Sequence, residues 1–270
     1  MKSKIERIKA IVSHVLHESS CLLGIVNNTS GYSQMFQLVI NHEHPCGSKK
    51  ERSIILGLEN LSCLYELCHS FCKKYDVTFE SNHYEFANHV IDDLSIDTFE
   101  LKEEELNKTD FLREEEFSSV DLLVIYALAS SLYHEFGHVK YDEGPRSISN
   151  ERKADEFAFK IVHDKCILKN IEKSPEFLGL LLDYILILHL LQPYDKRDNT
   201  HPHPIERLCT LLEHFAISDD SYIWGFIYCN VYEWANKNII SIPKMNCYSG
   251  KEGLKNILSI IKDKNATPTT

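Results

Sequence analysis

Two histidines and one glutamate near the middle of the chain could together activate a water molecule. His134, Glu135 and His138 form the pattern H-E-x-x-H. Histidines four positions apart lie one above the other on a helix, so both imidazoles can reach one metal ion. Glu135 is placed to polarise a water at that ion, which is the zinc-hydrolase arrangement of two nitrogen ligands, an open position and a base. The alternative is a helix end where the histidines only complement the helix dipole.

The motif closes a long apolar segment. Residues 120–138 read V-D-L-L-V-I-Y-A-L-A-S-S-L-Y-H-E-F-G-H, and the dozen residues before the motif are almost wholly apolar. This composition predicts a buried helix whose last turn carries the metal ligands. Residues 141–145 then turn the chain, and Ser149 or Asn150 is expected to cap a second helix over residues 149–159.

A two-histidine zinc site needs a third protein ligand, and a carboxylate on a neighbouring helix is a common solution. Glu151 follows His138 by 13 residues, which is enough for a turn and an antiparallel return. Asp155 lies one turn further on the same face and could accept a hydrogen bond from a ligating histidine. Glu156 is a rival ligand, and an ordinary charged helix face is the alternative. The spacing and the small Ala154 favour Glu151.

Composition describes an ordinary globular chain. The 270 residues are 43% hydrophobic and 26% charged, and the net charge of -11 argues against nucleic acid or an anionic membrane as the main partner. Nine cysteines include no C-x-x-C pair, and no secretory signal peptide opens the chain, so we expect a reduced, cytoplasmic protein. The most apolar segment, residues 177–191, is 15 residues long and contains Asp183 and His189, which favours a buried helix over a membrane span.

The pattern predicts three regions: an N-terminal helical and β subdomain over residues 1–118, a metal-binding core over 119–217 and a helical extension over 218–270. Residues 35–40 and 53–58 favour strands, and residues 96–101 are the candidate strand along the substrate cleft. The acidic residues 103–116 are either a solvated face or a lid. The aromatic residues 219–237 form either core or a partner surface. Overall we expect a mostly α (α+β) fold with a small β-sheet.

The motifs also carry a resemblance. H-E-F-G-H followed by N-E-R-K-A-D resembles the glutamate zincins, metallopeptidases with an H-E-x-x-H helix and an E-x-x-x-D helix. The resemblance implies that His134, His138 and Glu151 bind zinc. It also implies that Glu135 is the general base and Asp155 the aspartate behind a ligand.

A third block, T-H-P-H-P-I-E-R-L at residues 200–208, is similar to the T-H-P-x-x-x-x-R-[IL] block of the HtpX and CAAX-prenyl-protease family. The resemblance places His201 and Arg207 near the active site. That family is membrane-embedded, so soluble relatives are better guides: the phage-exclusion Lit-type peptidases, and the ImmA/IrrE-type peptidases with their E-x-x-A-[ND]-x-F-A helix. The resemblance covers roughly residues 120–210.

These observations predict a zinc-dependent endopeptidase acting on an intracellular protein or peptide. Glu135 would transfer the water's proton to the leaving amine. His201 is the first candidate for stabilising the oxyanion and Arg207 the second, although Arg207 could instead hold the ligand helix; Tyr133 and Tyr141 are further possible donors. One alternative is a regulatory or phage-defence protease with a single substrate. The other is a zincin-fold binding or scaffold module with a non-catalytic metal, against which the intact base Glu135 speaks.

Overall fold

A computed structural model describes residues 35–41, 46–48, 53–79, 98–101, 117–141, 147–166, 170–190, 201–238 and 250–266. It also describes six helical residues near the N-terminus: Arg7, Ile8, Ala10, Ile11, His14 and Val15. The chain divides into two compact units, Met1–Asp183 and Tyr184–Thr270. The acidic residues 103–116 and the histidine-rich residues 42–45 lie outside the described residues.

Helices form most of the described part of each unit. The seven α-helices of the described residues are α1 (Leu58–Tyr75), α2 (Ser119–Tyr141), α3 (Ile148–Cys166), α4 (Pro175–Leu190), α5 (Pro204–His214), α6 (Tyr222–Lys237) and α7 (Gly250–Ala266), with a 3-10 turn at Ile171–Lys173. The helices predicted at residues 120–138, 149–159 and 177–191 correspond to α2, α3 and α4. No helix among the described residues is long and apolar enough to cross a membrane.

Four short strands are traced as backbone: β1 (Met35–Asn41), β2 (Cys46–Ser48), β3 (Ser53–Gly57) and β4 (Thr98–Leu101). Their order is β2-β3-β1-β4. β1 runs parallel to β3, with Val39 opposite Ile55, and parallel to β4, with Phe36 opposite Phe99. β2 and β3 are antiparallel.

The predicted fold class, a mostly α (α+β) zincin-like core with a small β-sheet, is wrong. Among the residues whose side chains the structure describes, about 85% are helical, and no strand or sheet is found. The physical reason is that nearly all of the buried apolar side chains among the described residues lie on helices. Strand β4 lies within residues 96–101, and the role of this segment along a substrate cleft stays a prediction.

The first unit is built around α2. Every side chain from Leu122 to Ala129 is buried, so this helix is apolar on all sides, as expected of a helix enclosed by others. α4 approaches it closely at Gly179, where a Cβ would lie 2.6 Å from the Tyr126 Cβ and 2.7 Å from the Ala127 nitrogen. Only glycine lets the two helices approach this far.

A capping box and an ion pair hold the N-terminal end of α2. The Asp121 N–H donates to Ser118 Oγ at 3.3 Å, and the Ser118 N–H donates to Asp121 Oδ2 at 2.7 Å. Arg7 donates to both Asp121 carboxylate oxygens, with Nε 2.6 Å from Oδ1. Asp121 is completely buried, and this pairing offsets the cost of burying its charge.

The six cysteines with described side chains are all free thiols. Burial raises the pKa of the Cys68 thiol well above its ordinary value, and burial with the nearby Asp121 raises the pKa of Cys72 to about 11. Both thiols are therefore protonated at neutral pH and unreactive. On α1 they act as small hydrophobic side chains.

Candidate metal centre

The last two turns of α2 carry the H-E-x-x-H motif, as predicted. The Nε2 atoms of His134 and His138 lie 3.0 Å apart, and the two rings meet edge to face with their centroids 4.6 Å apart. This follows from the spacing of four residues, which puts both side chains on one side of the helix. The two imidazoles thus point their far nitrogens at a common position.

α3 brings a carboxylate to that position. Glu151 Oε2 lies 3.5 Å from His134 Nε2, and Glu151 Oε1 lies 3.3 Å from His138 Nε2. One ligand atom from each of the three residues falls within 4.8 Å of the others, so this group could hold a metal ion. Two imidazole nitrogens and one carboxylate form a donor set that suits zinc and leaves a coordination position open.

Asp155 lies behind one of the histidines. Its Oδ1 is 2.9 Å from His134 Nδ1, which is hydrogen-bonding distance. An aspartate in this position holds the proton on Nδ1 and leaves the Nε2 lone pair directed at the common position. The structure therefore brings together four of the five residues that the sequence selected on α2 and α3: His134, His138, Glu151 and Asp155.

The start of α3 differs from the prediction. Ser149 or Asn150 was expected to cap the helix, but α3 begins at Ile148, and the Asn150 N–H donates to Ser147 Oγ at 3.2 Å. Ser147, Ser149 and Asn150 are all suitable capping residues, so the sequence left the start of the helix ambiguous by two to three residues. With Ser147 as the cap, Glu151 lies in the first turns of the helix, where a carboxylate also interacts favourably with the helix dipole.

Glu135 lies beside the three candidate ligands in sequence but outside their cluster. Its side chain is buried, and its Oε2 has no hydrogen-bond partner among the described residues. Leaving a buried carboxylate oxygen without a partner costs free energy, so such an atom is typical of a functional group that meets a ligand or water.

Burial also favours a cation at this site. Glu135, Glu151 and Asp155 are 6%, 2% and 4% exposed, so three carboxylates lie almost wholly out of water. Carboxylates are buried at acceptable cost only when they are paired, protonated or bound to a metal. Two of them face the imidazole pair directly, and a divalent cation there would offset their charge.

Other residues considered from the sequence are placed differently. Glu156, the rival ligand, is exposed on α3 and lies outside the cluster. Tyr133 is buried, and Tyr141 is half-buried with its ring 6.0 Å from that of Phe157. Nothing in these positions singles out either tyrosine as a donor to a reacting group.

His201 and Arg207 belong to the second compact unit, Tyr184–Thr270. Arg207 is buried, with its guanidinium 4.9 Å above the Tyr184 ring. His203 caps α5: its Nδ1 accepts the Ile205 N–H at 3.1 Å. Burial lowers the pKa of His203 to about 4, which keeps Nδ1 free to accept that bond. The role of His201 and Arg207 beside the metal stays a prediction.

Comparison with known proteins adds the family. The sequence profile of the family described as Peptidase U49 matches residues 81–227, more than half of the chain. This chain belongs to the Peptidase U49 family. The matched region contains α2, α3 and the block at residues 200–208, so the residues selected above all lie within a peptidase sequence. Neither the curated proteins nor the solved structures give a significant match.

Proposed function

We propose that this member of the Peptidase U49 family is a zinc-dependent endopeptidase that cleaves an intracellular protein or peptide. The observation that carries the proposal is the convergence of His134, His138 and Glu151 into one possible metal site. Glu135, next to His134 in the sequence, adds a buried carboxylate oxygen without a hydrogen-bond partner among the described residues. The free thiols fit a reducing compartment such as the cytoplasm. The same site is compatible with a regulatory or phage-defence protease that cleaves a single substrate.

The donor set fits zinc. His134 and His138 would supply imidazole nitrogens and Glu151 a carboxylate oxygen, and Asp155 would fix the tautomer of His134. Three protein ligands are typical of catalytic zinc, whereas structural sites close all four positions with protein groups. When bound, zinc would polarise the scissile carbonyl and lower the pKa of a water from about 15.7 toward 7.

The protein's own residues would move the proton. Glu135 accepts a proton from the attacking water and delivers it to the leaving amine. Its burial keeps bulk water away from that transfer, and its second carboxylate oxygen is available because no described residue engages it. Asp155, 2.9 Å from His134 Nδ1, would hold the His134 imidazole in one orientation while the peptide bond is cleaved.

A second donor is required for the developing oxyanion. We assign it first to His201 and second to Arg207, following the resemblance of residues 200–208 to the block of related peptidases. Arg207 has an alternative role in packing, since its guanidinium already stacks on Tyr184. The activity and zinc content of Arg207→Lys distinguish the two roles.

Metal content tests the proposal most simply. We expect one zinc per chain in the wild type and in Glu135→Gln, and less in Glu151→Gln, by elemental analysis after dialysis. Glu156→Gln is the matched control, because it changes an exposed glutamate on the same helix. A wild-type protein without zinc would contradict the proposal. Zinc combined with a fourth protein ligand and no hydrolysis would instead favour a scaffold role.

A further inference from the structure

A glycine forms the closest contact between the two helices of the candidate metal centre. A Cβ added to Gly137 on α2 would lie 2.6 Å from the Ala154 Cα, 3.0 Å from its Cβ and 3.1 Å from its carbonyl oxygen, on α3. Carbon atoms in contact are normally about 3.5–4.0 Å apart. The backbones therefore approach at a distance that only glycine permits.

The contact lies at the centre of the site. Gly137 is three residues after His134 and one before His138, and Ala154 is three after Glu151 and one before Asp155. Residues at i, i+3 and i+4 share one helix face. The two faces that meet at Gly137 and Ala154 are thus the faces that carry the site residues.

The distance between these helices controls how far Glu151 reaches. A methyl group on Gly137 would have to move α3 by roughly 1 Å to restore normal carbon contacts. Metal–ligand distances tolerate only about 0.2 Å. We propose that Gly137 is a positioning residue that sets the distance from Glu151 to the two imidazoles. This inference rests on the proposed metal centre and assigns a role there to a residue that has no side chain.

Two other glycines provide matched controls. Gly179 on α4 makes an equally close contact with α2, at Tyr126 and Ala127, two to three turns before the ligands. Gly225 on α6 has nothing within 4 Å of its added Cβ. A Gly→Ala change at position 179 therefore tests helix packing without the ligands. The same change at position 225 tests the substitution alone.

The test measures zinc affinity by competition with a chromophoric chelator, and thermal unfolding of the metal-free proteins. We expect Gly137→Ala to bind zinc about tenfold or more weakly than the wild type, in the range seen when support behind a ligand is lost. Gly179→Ala should lower the unfolding temperature but retain wild-type zinc affinity. Gly225→Ala should change neither.

A second variant covers the case in which Gly137→Ala does not fold. Gly137→Ala/Ala154→Gly removes the facing methyl, which lies 3.0 Å away, but leaves the Cα at 2.6 Å. We expect its zinc affinity to remain well below that of the wild type, because the backbone itself is the obstacle.

Three outcomes would overturn the inference, and they separate it from the proposed function. Wild-type zinc affinity in Gly137→Ala would mean that the two helices accommodate the methyl group without displacing Glu151. The proposed metal centre would be unaffected by that result. Equal losses in Gly137→Ala and Gly179→Ala would indicate general packing. A wild-type protein that binds no zinc would remove both the inference and the proposed function.

Discussion

Two blocks of this chain carry pairs of histidines, and they use them in different ways. On α2, the Nε2 atoms of His134 and His138 lie 3.0 Å apart and point to one position, which Glu151 also reaches. In the second unit, His203 is occupied as the cap of α5. Its neighbour Arg207 stacks on Tyr184.

The difference lies in spacing. Histidines four apart within a helix share a face, so local geometry alone brings them together. His201 and His203 precede a helix, with a proline after each, and one of them satisfies a backbone N–H at the helix start. A metal-binding role can therefore be argued from within the first unit, whereas a catalytic role for the second block has to be tested by activity.

Removal of the α3 ligand should have the largest effect. Glu151→Gln replaces a charged ligand with a weakly binding amide, and we expect loss of bound zinc and a fall in peptide hydrolysis of at least about 1000-fold. Elemental analysis and a hydrolysis assay measure the two effects. Glu156→Gln, on the same helix but exposed, should behave as the wild type. Equal zinc content in both variants would exclude Glu151 as a ligand.

The second block should affect turnover without affecting the metal. If His201 stabilises the oxyanion, His201→Ala should lower kcat by about 100- to 1000-fold and leave zinc content unchanged. His203→Asn is the control, since asparagine can replace the capping acceptor. Full activity of His201→Ala would contradict the oxyanion role, and the same experiment on Arg207→Lys would then test the second candidate.

Asp155 should have a smaller effect than the ligands. Asp155→Asn keeps the size of the side chain but removes the charge 2.9 Å from His134 Nδ1. We expect zinc affinity to fall by about 10- to 100-fold, because the imidazole becomes less basic and less well oriented. Chelator competition measures this. An unchanged affinity would mean that Asp155 does not support His134.

The smallest effect concerns acid stability of the second unit. The pKa of His203 is lowered by burial from 6.5 to about 4, so the unfolded chain binds this proton first as the pH falls. Its stabilising contribution is complete above pH 6.5 and is lost between pH 6.5 and about 4, with a slope of at most about 1.4 kcal/mol per pH unit.

Tryptophan fluorescence can report this loss selectively. Both tryptophans of the chain, Trp224 and Trp234, lie in the second unit, and the Trp234 ring is 5.6 Å from that of His203. In urea unfolding followed by fluorescence, His203→Asn should flatten the decrease in stability between pH 6.5 and 4. The same pH dependence in the variant would exclude His203 as its source.

The grouping of His134, His138 and Glu151 followed from the sequence more directly than the fold did. His134 and His138 are four residues apart on one helix, and Glu151 and Asp155 are four apart on the next, after a short connection. Helix periodicity and this local spacing were therefore enough to predict α2 and α3. Distances between elements are not encoded in that way. The close approach at Gly137 was missed, although a glycine inside a strong helix pattern is a signal for close packing. So were the pairing of Arg7 with Asp121, which joins residues 114 apart, and the absence of a sheet from the side-chain core.

In the proposed mechanism, Glu135 activates the water that cleaves the peptide bond, together with a metal held by His134, His138 and Glu151. The most direct measurement is a proteome-wide comparison of protein N-termini in cells expressing the wild type or Glu135→Gln, with zinc content determined for both proteins. We predict equal zinc content, and new N-termini that appear with the wild type and are absent with Glu135→Gln. Identical sets of N-termini, with zinc bound to both proteins, would contradict the account.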